Sequence, residues 1–337
     1  MDIYTLFRTC KDKDYLLEVL KQKPDLNIKN YDGDTVAMIA FKNCEDKDVL
    51  LEVLKQKPDL NSQNDDGDTV AIYAFQNCNN KDILLEVMRQ KPDLNIQDIN
   101  GYTVAMYAFM YCTYKDVLLE LLRQKPDLNI QNNYCYNVTI YAFQCCEYKD
   151  VLLEVLRQKP DLNIQNNAED TVAMFVIKYC KNKDVLLELL KQKPDLNIQN
   201  DNEDTVAMFI FQYCEDKDVL LELLKQKPDL NIQNEFGDTI AIYVFNYCDD
   251  KDVLLEVLKQ KSNLTLKNFL NKTALDYTLE YYVKSPIFEF DVLEKLYNEN
   301  CKQDKQLFNP TYIKLRNKYK VLPLILFRHQ KRYGVKN

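Results

Sequence analysis

Nucleophilic or acid–base chemistry needs a nucleophile beside a positioned proton acceptor, and this chain has little from which to build one. It holds a single histidine, His329, and three serines, Ser62, Ser262 and Ser285, none inside a nucleophile motif. Four of its five glycines (Gly33, Gly67, Gly101, Gly237) punctuate turns, which leaves no phosphate-cradling loop. Aspartate and glutamate are plentiful but recur at fixed spacing, so they read as solvated scaffold faces before they read as catalytic pairs. The expectation is a protein that is not an enzyme and takes no cofactor.

Cysteine is the other residue that could do chemistry. Cys10, Cys44, Cys78, Cys112, Cys146, Cys180, Cys214 and Cys248 stand 34 residues apart in one column. Packed helices lie about 8–10 Å apart, whereas bridged cysteines need Cα atoms within about 7 Å and zinc–sulfur bonds are about 2.3 Å. The column therefore suits neither disulfides nor a metal. It suits a small apolar residue at a tight turn between helices. Cys135, Cys145 and Cys301 fall outside it, with no CxxC pair or histidine beside them.

The same period runs through everything else. Pro24, Pro58, Pro92, Pro126, Pro160, Pro194 and Pro228 are each 34 residues from the last, and Asp48-Val-Leu-Leu-Glu-Val-Leu-Lys-Gln-Lys-Pro-Asp-Leu-Asn61 returns in near-copies. A fixed period of this size means stacked supersecondary units. Within residues 32–65, Asp32-Gly33-Asp34-Thr35 is turn chemistry and Val36–Asn43 a short apolar helix. Cys44–Lys47 breaks that helix. Asp48–Lys57 is a second one, with Val49, Leu50, Val53 and Leu54 on one stripe, ended by Pro58.

That order, with these residues, resembles the ankyrin repeat. The family's Asp-Gly-x-Thr opening stands as Asp32–Thr35 and Asp66–Thr69, and with its first residue varied as Asn100–Thr103 and Phe236–Thr239. Its Ala-Asp-Val-Asn ending stands as Pro58–Asn61 and its copies. The departures are Val36-Ala37-Met38 for Pro-Leu-His, so the family's histidine bonds between repeats are absent, a cysteine column for the inter-helix glycine, and a period of 34. The turn glycine is lost at Cys135, Glu169 and Glu203, where distorted hairpin tips are expected. The resemblance implies an all-α, ankyrin-like solenoid of about nine helix-turn-helix repeats over residues 1–300. The units begin near 1, 32, 66, 100, 134, 168, 202, 236 and 270, the first lacking its turn. The ninth has its second helix delayed by an insertion around Ser285–Phe290. A basic segment, 301–337, follows as a helical cap.

Ankyrin-like stacks place hairpin tips and first helices on the concave face, which makes their variable columns the candidate site. Two residues past each turn's opening stand Asp34, Asp68, Tyr102, Tyr136, Asp170, Asp204 and Asp238. One first-helix column holds Tyr73, Tyr107, Tyr141, Phe175, Phe209 and Tyr243; four residues on, one helical turn away, stand Tyr111, Tyr179, Tyr213 and Tyr247. The reading is an aromatic groove rimmed by carboxylates, selecting a basic, extended protein partner. Two alternatives stay open: the first aromatic column lies between layers, or near-identical repeats record duplication and no selected surface. Asn61, Asn95 and Asn163 match a position that the family can have hydroxylated; here they are expected to bond the backbone between hairpins.

Charge divides the chain. Residues 1–300 hold 34 Lys and Arg against 51 Asp and Glu, a net of −17, while 301–337 carry a net of +9. The basic positions include Lys314, Arg316, Lys318, Lys320, Arg328, Lys331 and Arg332. Such asymmetry suits an interaction tail. The second reading is an adaptor whose tail docks on nucleic acid, anionic membrane or a ubiquitin-ligase component while the repeats hold a client. Leu322-Pro323 is similar to the start of an F-box-like segment, but only 14 residues follow Pro323, too few for that fold. Met1-Asp2-Ile3-Tyr4 shows neither a basic nor an apolar signal region and no apolar run reaches membrane length, so the expected place is the cytoplasm, and the expected state a monomer.

Overall fold

The structure, a computed structural model, describes residues 2–260, 262–284, 290–304 and 312–313. The described residues form eighteen helices, with β-structure limited to isolated bridges. They divide into two compact units, residues 1–192 and 193–337. The first contains six helix pairs: α1 Ile3–Thr9 and α2 Lys13–Lys21, α3 Val36–Asn43 and α4 Lys47–Lys55, α5 Val70–Asn77 and α6 Lys81–Arg89, α7 Val104–Tyr111 and α8 Lys115–Arg123, α9 Val138–Cys145 and α10 Lys149–Arg157, α11 Val172–Tyr179 and α12 Lys183–Lys191. The second contains α13 Val206–Tyr213 and α14 Lys217–Lys225, α15 Ile240–Tyr247 and α16 Lys251–Lys259, α17 Ala274–Lys284 and α18 Phe290–Gln303. Within each unit, first helices pack on first helices and second helices on second helices, the arrangement of an ankyrin-like all-α repeat stack. No described helix is long and apolar enough to cross a membrane.

Local chemistry sets each helix. Thr35 caps α3, its hydroxyl accepting from the Met38 amide at 3.1 Å, and Asp46 caps α4 through the amides of Asp48 (2.9 Å) and Val49 (3.1 Å). Residues Val36–Phe41 are buried all round, because α3 lies between neighbouring repeats, whereas α4 buries only the Val49, Leu50, Val53, Leu54 stripe. The helix ends with Lys57 in the left-handed region, φ 53°, its amide bonded to Leu54 O at 2.9 Å. Pro58 then prevents a further turn. The same left-handed lysine recurs at Lys23, Lys91, Lys125, Lys159, Lys193 and Lys227, a place where glycine is the usual residue.

Polar ladders join successive repeats in the absence of the family's histidine. Gln56 donates to Leu20 O at 2.8 Å, and Gln90 and Gln124 repeat the contact one unit on. Asn61 accepts from the Asp93 amide and Asn95 from the Asp127 amide, both at 2.8 Å, so this asparagine column bonds backbone between hairpins. Gln63 donates to Gly67 O and to Gln97 O of the next repeat, each at 3.0 Å. Exposed ion pairs such as Lys47–Asp82 and Lys81–Asp116 run beside them; singly these contribute little.

The hairpins lacking glycine are not distorted. Cys135, Glu169 and Glu203 adopt φ of 58°, 55° and 58°, and the Cys135 hairpin keeps its bonds, Cys135 N to Asn132 O and Asn132 N to Tyr136 O, both at 2.9 Å. The reason is the residue that opens each turn. The Asn132 side-chain oxygen accepts from the amides of Tyr134 (3.0 Å) and Tyr136 (2.9 Å) and presets the turn whatever follows. Left-handed backbone at a residue with a Cβ costs about 1–2 kcal/mol, which that asparagine turn offsets. The cysteine column sits at the ends of the first helices, half-buried to buried, with burial pushing the Cys78 thiol up to about 12 and that of Cys112 to about 11.

Candidate functional site

The two columns expected to line one groove have different fates. Three positions of the acidic column are glue between repeats. Asp34, 5% exposed, accepts from Asn64 of the next repeat at 2.6 Å. Asp204 accepts from Asn234 and Asp238 from Asn268, both at 2.7 Å. Asp68 and Asp170 are half-buried. At Asp34, Asp204 and Asp238 an asparagine arriving 30 residues later engages the carboxylate, whereas Asp68 has Asp98 at that place. Burial holds the Asp68 and Asp238 carboxyls above their ordinary range.

The first aromatic column lies between layers. Tyr73, Tyr107 and Tyr141 are buried, with Phe175 and Phe209, and Tyr243 is half-buried. Their hydroxyls find internal partners: Tyr107 donates to Asp98 at 2.7 Å, while the amides of Asn64 and Asn132 donate to Tyr73 and Tyr141, each at 3.1 Å. Burial pushes all three phenols above their usual range. Tyr73, Tyr107 and Tyr141 are thus packed between layers, as one of the two open alternatives expected.

Those outer rings are exposed. Tyr111 is 53% accessible, Tyr179 and Tyr247 are exposed, and Tyr213 is half-buried. In the first unit the rings form a continuous series: Tyr111 stacks on Tyr107 with centroids 6.2 Å apart, Tyr107 meets Tyr102 at 5.5 Å, Tyr102 meets Tyr141 at 5.9 Å, Tyr141 meets Tyr136 at 6.0 Å, Tyr136 meets Phe175 at 5.7 Å, and Phe175 stacks on Tyr179 at 5.9 Å. Tyr134, 56% exposed, joins at 6.3 Å from Tyr102. The second unit holds separate pairs, Phe209–Tyr213 at 5.4 Å and Tyr243–Tyr247 at 5.8 Å. Tyr73 belongs instead with Lys42, whose ammonium lies 5.2 Å from its ring centroid.

Sequence reading missed Tyr114 and Tyr148. They stand in the loop after the first helix, where Asp46, Asn80 and Asn182 cap the second helix in other repeats, and they cap nothing. The internal comparison of that one column would have found them. The basic positions Lys314, Arg316, Lys318, Lys320, Arg328, Lys331 and Arg332 lie outside the described residues. Among the described residues no three His, Cys, Asp or Glu side chains are grouped to hold a metal ion.

Residues 37–133 match the family model of ankyrin repeats in three copies. No curated protein matches the chain. Among solved structures it is similar to one chain in the structure of the Bd0816 predatory endopeptidase from Bdellovibrio bacteriovorus in complex with immunity protein Bd3460, at 24% identity over 58% of this chain and 96% of that chain, with a TM-score of 0.43.

Proposed function

We propose that this chain, whose residues 37–133 match ankyrin repeats, is a non-enzymatic module holding an extended protein partner on its hairpin tips and first helices, centred on residues 99–148. Ankyrin repeats bind protein partners, and the observation that carries the placement is the continuous ring series from Tyr111 to Tyr179 with Tyr111 and Tyr134 half open to water. Tyrosine supplies large, rigid contacts with a polar tip, and such residues dominate binding energy at interfaces. This reading does not need a basic partner, and three of the five carboxylates that would have selected one are engaged by asparagines of the following hairpins. In this reading the array of residues 1–300 acts as a monomer in the cytoplasm.

The net charge of +9 on residues 301–337 favours one second reading, an adaptor whose tail docks on a polyanionic surface or a ligase component. Affinity capture from lysate separates the two. The full chain is compared with one variant carrying Tyr111→Ala and Tyr134→Ala, and another carrying Lys314→Glu, Arg316→Glu, Lys318→Glu and Lys320→Glu. A partner lost with the tyrosine changes and kept by the tail variant supports the binding-surface reading. The reverse pattern transfers the function to the tail.

A further inference from the structure

The repeats of one chain act as controls for one another, and the two beginning at Asn100 and Tyr134 depart from their siblings where departure costs stability. Six second helices carry an Asp or Asn cap that bonds first-turn amides. Tyr114 and Tyr148 hold that position on α8 and α10 and make no such bond, so both helices forgo a stabilising cap. Their hydroxyls instead reach back one repeat, Tyr114 to Asn79 O at 3.1 Å and Tyr148 to Thr113 O at 2.8 Å. Asn137 and Thr139 replace a threonine and an alanine, and each leaves a buried polar atom, Nδ2 and Oγ1, without a partner. Tyr102 and Tyr136 replace the aspartate that at Asp34, Asp204 and Asp238 anchors the next hairpin. Local rules broken together in two adjacent repeats mark a surface kept for something other than the stack.

What the departures create is a face with rings, hydroxyls and almost no charge. Residues 99–114, which run from hairpin tip through first helix to the following loop, carry no charged side chain, and the equivalent 133–148 carry Glu147 alone. The equivalent 31–46 carry Asp32, Asp34, Lys42, Glu45 and Asp46, and 167–182 carry Glu169, Asp170, Lys178 and Lys181. Elsewhere the array is strongly acidic. A charged segment laid on residues 99–114 and 133–148 would lose water and meet only Glu147 as a counter-charge on those stretches. The occupant that complements the face is uncharged.

Its backbone is constrained as well. The exposed tyrosines offer ring faces and hydroxyl donors. A polyproline II segment makes no internal hydrogen bonds, so its carbonyls remain free acceptors, and its proline rings pack on aromatic faces. One polyproline II turn, three residues at about 3.1 Å each, is close to the roughly 8–10 Å between packed helices, so successive turns of the ligand meet successive repeats. We propose that the tyrosine face over residues 99–148 is a docking site for an uncharged, proline-rich segment of a partner protein in the polyproline II conformation. This rests on the reading that the hairpin tips and first helices bind protein.

The test is isothermal titration of the full chain with an oligoproline of about ten residues, roughly three turns, beside lysine-rich and glutamate-rich peptides of equal length. The expected result is saturable oligoproline binding that persists from low to high salt and weakens about tenfold or more in Tyr111→Ala and Tyr134→Ala. Tyr247→Ala, in the second unit, should leave it unchanged. Tyr111→Phe with Tyr134→Phe keeps the rings and checks the hydroxyls, giving a smaller loss; it also replaces the alanine variants should these fail to fold. No oligoproline binding, or binding indifferent to all of these tyrosine changes, overturns the proposal. Salt-sensitive binding of the lysine-rich peptide in its place, lost in the same variants, overturns the proline-rich partner and leaves the binding surface standing.

Discussion

The Asn64 amide donates to the Asp34 carboxylate across two repeats at 2.6 Å, while the same side chain's oxygen closes its own hairpin. One residue thus ties local turn to stacking. The third hairpin breaks the pattern, placing Asp98 where its siblings have asparagine and leaving Asp98 near Asp68 with no amide between them.

The Asp68 carboxyl is held above its ordinary range, first by burial, with the charges of Asp98 and Asp66 adding to it and Tyr73 and Lys42 opposing. A carboxyl raised in the fold contributes stability that is fully present in acid and is lost as pH climbs through the folded pKa. Asp98→Asn removes the repulsion and supplies the donor. It should stabilise the chain at neutral pH by about 1 kcal/mol, a gain that starts to shrink as acidification passes through the raised Asp68 pKa, above the ordinary carboxyl range near pH 4. The Asn132–Tyr141 bond shows that an amide can still hold the tyrosine that Asp98 holds now. Thermal melts of both proteins across that pH range would decide it; a lower melting temperature for the variant at neutral pH contradicts this account.

Two buried atoms in the hairpin and helix starting at Asn137 have lost water without gaining a partner. Such a group costs about 1–3 kcal/mol. Asn137→Thr and Thr139→Ala restore the residues of the neighbouring repeats, and each should raise the midpoint of urea unfolding by the equivalent of about 1 kcal/mol.

Glycine in the turns serves both conformation and space. At Gly67, φ is 78°, and a Cβ would lie 2.9 Å from Asp98 Cα of the next hairpin. Gly67→Ala should therefore destabilise by about 1–3 kcal/mol, and urea unfolding is the readout. Glu169→Gly goes the other way: relief of left-handed strain exceeds the added chain entropy, and a gain of up to about 1 kcal/mol is expected.

Thiol reactivity should rank with exposure. Cys145 is the exposed cysteine, while Cys112, Cys146, Cys180 and Cys214 are buried. Burial raises the thiols of Cys112, Cys146 and Cys180 and that of Cys145 as well, so access to the sulfur sets the ranking. Mild alkylation at slightly alkaline pH, followed by peptide mass spectrometry, should label Cys145 well before that group. Equal labelling would mean that the first helices open readily.

The period, the helix pairs, the cysteine column and the Asn61 ladder were all legible in the residues themselves. Each depends on chemistry within a few positions or on exact recurrence, and both are written in the order of the chain. The sidedness of the columns was not. Asp34 and Tyr111 look alike as variable, polar positions near a hairpin or helix end, yet one is buried and the other half open. The hairpins of Cys135, Glu169 and Glu203 also kept their shape, since the asparagine that presets the turn matters more than the missing glycine. Only stacking decides such matters. Whether a side chain meets water depends on what the next repeat brings against it, and for Asp34 that neighbour is Asn64, 30 residues away.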